Sequence, residues 1–300
     1  MFLDELPTEQ ARRAAGPDLR LYRRYVCLVC GHVELVPLDQ ELHADYVCPL
    51  CDAPRKAMAG PDDPRLRKHS LALERLAPGI WRADKSPPFP PEWSHTSYLL
   101  EHPRGLVLYD PPPFFSDGAC AAVRARGEAR LLVLSHEDFV GPAADWCAAL
   151  DVPAWLGVGE RPMGAHPFEP DRWMDGPTLL APDLELLPVP GHTKGSLALY
   201  WSGAPGGPAL FAGDALTLWE FDEGRVQLVF PQHPPLGEAL RELVARPMVL
   251  LATCAGWLHA PERHLRALVE QPEPCGRPWC GDRGGLWLRA SDIDHGCRRH

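Results

Sequence analysis

The stretch "LLPVPGHTKGS", residues 186–196, decides how this chain is read. An apolar run of strand length meets two prolines, and Gly191-His192 then opens a turn just past the strand. About twenty residues on, "PALFAGDAL" (208–216) repeats the device, a buried run ending at Asp214. Upstream, "LLVLSHEDFVG" (131–141) breaks from an apolar run into Ser135, His136, Glu137 and Asp138. Histidines and carboxylates placed just past buried strands suit metal ligation, because rigid strands leave loop residues little freedom. His136, Asp138, His192 and Asp214 are therefore candidate ligands that can converge at one edge of a pair of sheets.

Around these motifs, short apolar runs alternate with helix-like segments. The runs include "SYLLEHPRGLVLYD" (97–110), "LALYW" (197–201) and "PMVLLATC" (247–254). The helical spacing lies in "SDGACAAVRARGE" (116–128), "GPAADWCAALD" (141–151) and "PLGEALRELVARP" (235–247). Such alternation means α/β layers. Three parts are expected: residues 1–68 with two cysteine pairs and a polar linker, "AGPDDPRLRKHS"; a main body over 69–268; and a cysteine-containing C-terminal tail over 269–300 without clear periodicity.

Over the main body the chain resembles the metallo-β-lactamase superfamily. "PGHTKGS" and "LFAGDA" match two of its motifs, and "SYLLEHPRGLVLYDPPP" resembles its opening strands, ending in the customary Asp110. The resemblance implies a four-layer αββα sandwich with metal at one edge of the two sheets. "SHEDFVG" aligns with the family's main metal motif, but Leu134 stands at the first histidine position and Phe139 at the one after the aspartate. "PMVLLATCAGW" resembles the segment that usually supplies a last histidine, and there it carries Cys254. One ligand is thus lost from each half of the usual two-metal site. His136, His192 and Asp214 remain as a two-histidine, one-carboxylate set of the kind mononuclear iron sites use, with Asp138 a further ligand or a general base. Cys254, if it faces the site, favours zinc or iron. The same four residues can also persist as packing and turn elements of a degenerate site.

The N-terminal part carries a second constellation. "YVCLVCGH" and "YVCPLCDAPRKAM" give Cys27-x2-Cys30, seventeen residues, and Cys48-x2-Cys51. Two such loops bring four thiolates into a tetrahedron, which suits zinc or a single iron. Tyr25, Gly31, Pro49 and the following "APRKAM" resemble a rubredoxin, although Asp52 stands where a rubredoxin usually has glycine. The resemblance implies an iron centre passing one electron; spacing alone leaves structural zinc open.

Lesser features carry plainer readings. His95, His233 and His259 read as loop histidines, and Cys120 and Cys147 as small buried residues on amphipathic helices. Cys275, Cys280, His295, Cys297 and His300 are too irregularly spaced for a firm metal site.

Composition narrows the rest. A net charge of −10 argues against a nucleic-acid footprint; the basic patch "RLYRRY" (20–25) reads as a solvated face or an interdomain contact. No apolar run approaches the ~20 residues that cross a bilayer, and the N-terminus lacks a secretory pattern, so a cytoplasmic location is expected. Ten cysteines in such a chain point to metal or redox chemistry rather than disulfides. The expected function is a metal-dependent, hydrolase-type reaction on a small-molecule substrate at a reduced, mononuclear site. One alternative is a redox enzyme passing electrons between the Fe(Cys)4 centre and a mononuclear iron, with a redox partner protein. The other is a non-catalytic binding protein.

Overall fold

Strands buried on both faces read as continuous apolar runs, and here alternate residues of each run feed two different cores. A computed structural model describes residues 3, 6, 21–28, 32–49, 52–60, 63–67, 71–85, 96–112, 115–161, 168–220, 225–231, 238–239, 241–243, 245–270, 273–274 and 283–289. Near the N-terminus, β1 (Tyr22–Cys27), β2 (Val33–Pro37) and β3 (Met58–Ala59) form an antiparallel sheet in the order β2-β1-β3. Cys27 and Cys48 are buried in its small core with Tyr25, Val36, Leu42, Ala53 and Met58. Asp52 takes the left-handed conformation (φ 57°) and its N–H donates to the Cys48 carbonyl at 2.9 Å. Aspartate tolerates that region better than most residues, so it can replace the glycine of such a turn. Cys30 and Cys51 lie outside the described residues. A short helix, α1 (Pro64–Arg67), follows.

The main body begins with β4 (Leu71–Ala77), β5 (Ile80–Lys85), β6 (Ser97–His102) and β7 (Gly105–Tyr109), an antiparallel run. Helix α2 (Asp117–Arg124), capped by the Ser116 hydroxyl, leads to β8 (Ala129–Val133). Helix α3 (Val140–Leu150) leads to β9 (Ala154–Gly157), and β10 (Arg172–Met174) pairs beside it. From β7 to β10 the pairing is parallel, so both helices cross over on one face. The sheet runs β10-β9-β8-β7-β6-β5-β4.

The chain continues through β11 (Thr178–Ala181), β12 (Leu184–Pro188), β13 (Leu197–Trp201), β14 (Ala209–Gly213), β15 (Thr217–Glu220) and β16 (Arg225–Pro231). Then come β17 (Leu250–Thr253), β18 (Gly256–His259), α4 (Glu262–Glu270), β19 (Glu273–Pro274) and β20 (Arg283–Arg289). The second large sheet has the order β11-β12-β13-β14-β17-β18, and a smaller one β15-β16-β20-β19.

Between the two large sheets lies the main core, where Leu100, Val107, Tyr109, Val133 and Trp155 meet Leu186, Leu199, Trp201, Phe211 and Leu250. The neighbouring residues Leu99, Leu108, Leu132 and Leu134 point the other way, onto Val123, Ala143 and Trp146 of α2 and α3. Each such fully buried side chain contributes about 1.5–3 kcal/mol. Behind the second sheet, Ala198, Leu210 and Leu251 pack on Leu265 and Leu268 of α4 and on Leu218, Leu228 and Leu288.

The expected helix-sheet-sheet-helix layering is therefore present, with one addition. The small sheet shares the outer layer with α4, and β20 lies in the stretch read as an aperiodic tail. Its pairing partner β16 is more than fifty residues away, so no local pattern announces the strand. Cys120 and Cys147 sit in the helix-side core as expected. Cys275, Cys280, His295, Cys297 and His300 lie outside the described residues, as do His95 and His233. No helix among the described residues is long and apolar enough to cross a membrane.

The two parts touch. Val33 of β2 packs against Gly141 at the start of α3, where an added Cβ would stand 2.9 Å from Val33. Arg24, in the basic patch, pairs with Asp145 of α3, and Arg23 pairs with Glu41.

At the end of β14, Gly213 has φ +53°, and a Cβ there would lie 2.6 Å from that of Ser135. Gly213→Ala should therefore lower stability by about 1–3 kcal/mol, read as a lower urea midpoint at unchanged m. An unchanged midpoint would mean this junction is not tightly packed.

Candidate metal centre

The edge of the sandwich is drawn together by main-chain and tyrosine contacts. β7 is followed by Asp110, left-handed at φ 58°, whose Oδ1 accepts from the Ser135 N–H at 2.7 Å. The Ser135 carbonyl in turn accepts from the N–H of Leu197, at the start of β13 in the other sheet, at 2.7 Å. The Tyr109 hydroxyl donates to the Leu197 carbonyl at 2.7 Å, and the Tyr98 hydroxyl to the Thr253 carbonyl at 2.6 Å. These bonds, with the pairing of β14 to β13 and β17, place the end of β8, the start of β13 and the ends of β14 and β17 side by side.

There the four sequence-expected ligands meet. One ligand atom each from His136, Asp138, His192 and Asp214 lies within 4.8 Å of all the others. His136 Nε2 is 3.2 Å from Asp138 Oδ2 and 3.4 Å from Asp214 Oδ2. His192 Nε2 is 3.7 Å from each of the same two oxygens. Donor atoms about 2.1 Å from a shared centre stand roughly 3.4 Å apart in a tetrahedral site, and the four nitrogen-to-oxygen separations lie near that value, so the set has the span of a site for a single zinc-sized cation. The imidazoles cross edge to face, 4.7 Å between centroids.

The rest of the neighbourhood sets charge and orientation. His136 is fully buried, and its Nδ1 lies 2.8 Å from the Ser135 hydroxyl, leaving Nε2 to face the carboxylates. Burial alone would lower its pKa; Asp138, Asp214 and Asp110 outweigh that and raise it to about 9. Asp138 is disfavoured as an anion by burial, but its bonds to His136 and His192 hold it well below the usual carboxylate range. Burial lifts Asp110 to about 7. The three carboxylates thus favour a positive charge at this spot.

Cys254 lies in the turn after β17, beside the four rather than among them. Its Sγ donates to Asp214 Oδ1, and the Thr217 hydroxyl is 3.4 Å away. Burial, then the charge of Asp214, push the thiol well above its ordinary range. The two positions where the family resemblance led one to expect histidines are apolar and packed: Leu134 is buried in the helix-side core, and Phe139 sets its ring edge to face on His136, 5.0 Å between centroids. His259 ends β18 outside the four-residue cluster.

One buried carboxylate escaped the sequence reading. Glu160, closing the turn after β9, accepts from the Thr193 hydroxyl and the Gly195 N–H in the His192 turn. The signal available in "GVGE" (157–160) was a pair of glycines, but the segment they pack against is distant in sequence.

No family model matches the chain. An uncharacterized protein of Bacillus subtilis (strain 168), YmaE, is 26% identical over 205 residues, 65% of this chain and 72% of that protein. The solved structure of the DIM-1 metallo-β-lactamase is 13% identical and superposes with a TM-score of 0.51, covering 67% of this chain and 97% of that one. The flavodiiron core Flv1 from Synechocystis sp. PCC6803 is 15% identical at a TM-score of 0.48, covering 68% of this chain, which spans only 60% of that one. With its paired sheets and the ligand cluster at their edge, the chain has the metallo-β-lactamase fold and, in His136, Asp138, His192 and Asp214, a candidate metal centre.

Proposed function

We propose that the chain is a metalloenzyme that holds one divalent cation, zinc or iron, and carries out a hydrolase-type reaction on a small-molecule substrate. The observation that carries this reading is the convergence of two imidazole nitrogens and two carboxylate oxygens within 4.8 Å of one another. Leu134 and Phe139 offer no ligand, which limits the centre to a single ion. A cation there supplies a Lewis acid for the carbonyl or phosphoryl oxygen of the substrate.

With both Nε2 atoms committed as ligands, neither imidazole donates to Asp138. Its carboxylate is then released to complete the ligand set or to orient a water and take its proton. Cys254 holds Asp214 in place as a thiol and becomes a ligand only where a thiophilic ion displaces its proton.

Protein purified without added metal should carry one equivalent that disappears in His192→Ala or Asp214→Ala. A separate equivalent should disappear when Cys27 and Cys48 are both changed to serine. Metal content indifferent to His192→Ala would sink the enzyme reading and leave the non-catalytic binding protein. Asp138→Asn should slow turnover of ester, lactone, thioester or phosphoester reporters about 100-fold or more. Turnover equal to wild type would remove Asp138 from the chemistry.

A redox reading has one specific support. The module bearing Cys27 and Cys48 is seated on α3, which starts directly after the turn carrying Asp138. If Cys27, Cys30, Cys48 and Cys51 hold iron, that module would exchange electrons with an iron in the sandwich. The purified protein would then be red, with visible absorption bleached by dithionite and absent from Cys27→Ser. A colourless, zinc-loaded protein would end this reading.

A further inference from the structure

We infer that Glu160 is the positioning residue of the His192 ligand turn, locking that turn from one sheet onto the end of a strand in the other. The inference rests on the reading of His192 as a ligand. Glu160 belongs to the turn Val158–Glu160 that follows β9, and only 5% of its surface is exposed. Its Oε1 takes the Thr193 hydroxyl and the Gly195 N–H, the latter at 3.1 Å, so one oxygen grips the turn on the C-terminal side of His192.

The two segments meet backbone to backbone, and three glycines permit it. A Cβ on Gly157 would stand 1.9 Å from the Gly195 carbonyl oxygen, and one on Gly159 would stand 2.3 Å from that of Lys194. A Cβ on Gly195 would stand 2.6 Å from the Glu160 nitrogen. Any side chain at these positions would hold the carboxylate away from its donors.

Within the turn, Thr193 and Ser196 bond to each other, their hydroxyls 2.8 Å apart. Those bonds shape the turn but tie it to nothing outside. Apart from the pairing of His192 itself with Asp138, Glu160 fastens the turn to the β8–β9 side of the sandwich, the side that also carries His136 and Asp138. Its oxygen therefore governs the separation of His192 from the other ligands without touching the cation.

Cobalt(II) titrated into the full-length metal-free chain tests this, the uptake abolished by His192→Ala being assigned to the sandwich. Glu160→Ala should weaken that component about ten-fold or more and shift its visible bands. Glu160→Gln, whose amide oxygen still accepts both donors, should stay close to wild type. Gly157→Ala should reproduce the Glu160→Ala behaviour by prising the segments apart while keeping the carboxylate; if it fails to fold, the Glu160 pair decides alone. Glu160→Ala binding cobalt like wild type would overturn the inference. So would equal weakening by Gln and Ala, which would point to charge rather than grip. No His192-dependent uptake in the wild-type chain would overturn the ligand reading itself and this inference with it.

Discussion

The structure at the working edge depends on the main chain of one residue, Ser135. Its N–H is held by Asp110 of the same sheet, and its carbonyl by the Leu197 N–H of the other. A buried peptide group must find partners, and the partners here lie on opposite sheets, so satisfying it fixes their separation. Gly213 accommodates the resulting crowding with a left-handed backbone against the Ser135 side chain. Because His136 follows Ser135 and Asp214 follows Gly213, the contact that closes the sandwich also aims these candidate ligands.

What sits on that frame is a concentration of negative charge under a hydrophobic roof. Asp110, Asp138 and Asp214 surround a buried imidazole, and the high pKa of His136 records how strongly they favour a positive charge. Buried charges of one sign persist only when paired or when they hold a metal. Phe139 supplies part of the apolar wall, its ring against His136, while Leu134 packs into the helix-side core.

The N-terminal module adds a second level of constraint. Val33 against Gly141 and Arg24 against Asp145 set it on α3, the helix that begins where the Asp138 turn ends. The basic patch read as a solvated face or an interdomain contact divides between the two: Arg24 makes the contact, and Arg23 pairs within its own module.

Much of this was legible in the chain. Apolar runs with turn residues after them marked β6–β8, β12–β14 and β17, and helical spacing marked α2 and α3, because side-chain period is a local property. His136, Asp138, His192 and Asp214 stood out since each follows such a run directly, and the structure gathers all four. By itself, then, the sequence determined the sandwich and the four candidate ligands. The tertiary structure alone decided that β20 pairs with β16, that Cys254 addresses Asp214 from outside the cluster, and that Glu160 grips the His192 turn. The physical reason is common to all three: each is a contact between segments more than thirty residues apart, set by how layers pack and by glycines that let backbones touch, and neither leaves a periodic trace along the chain.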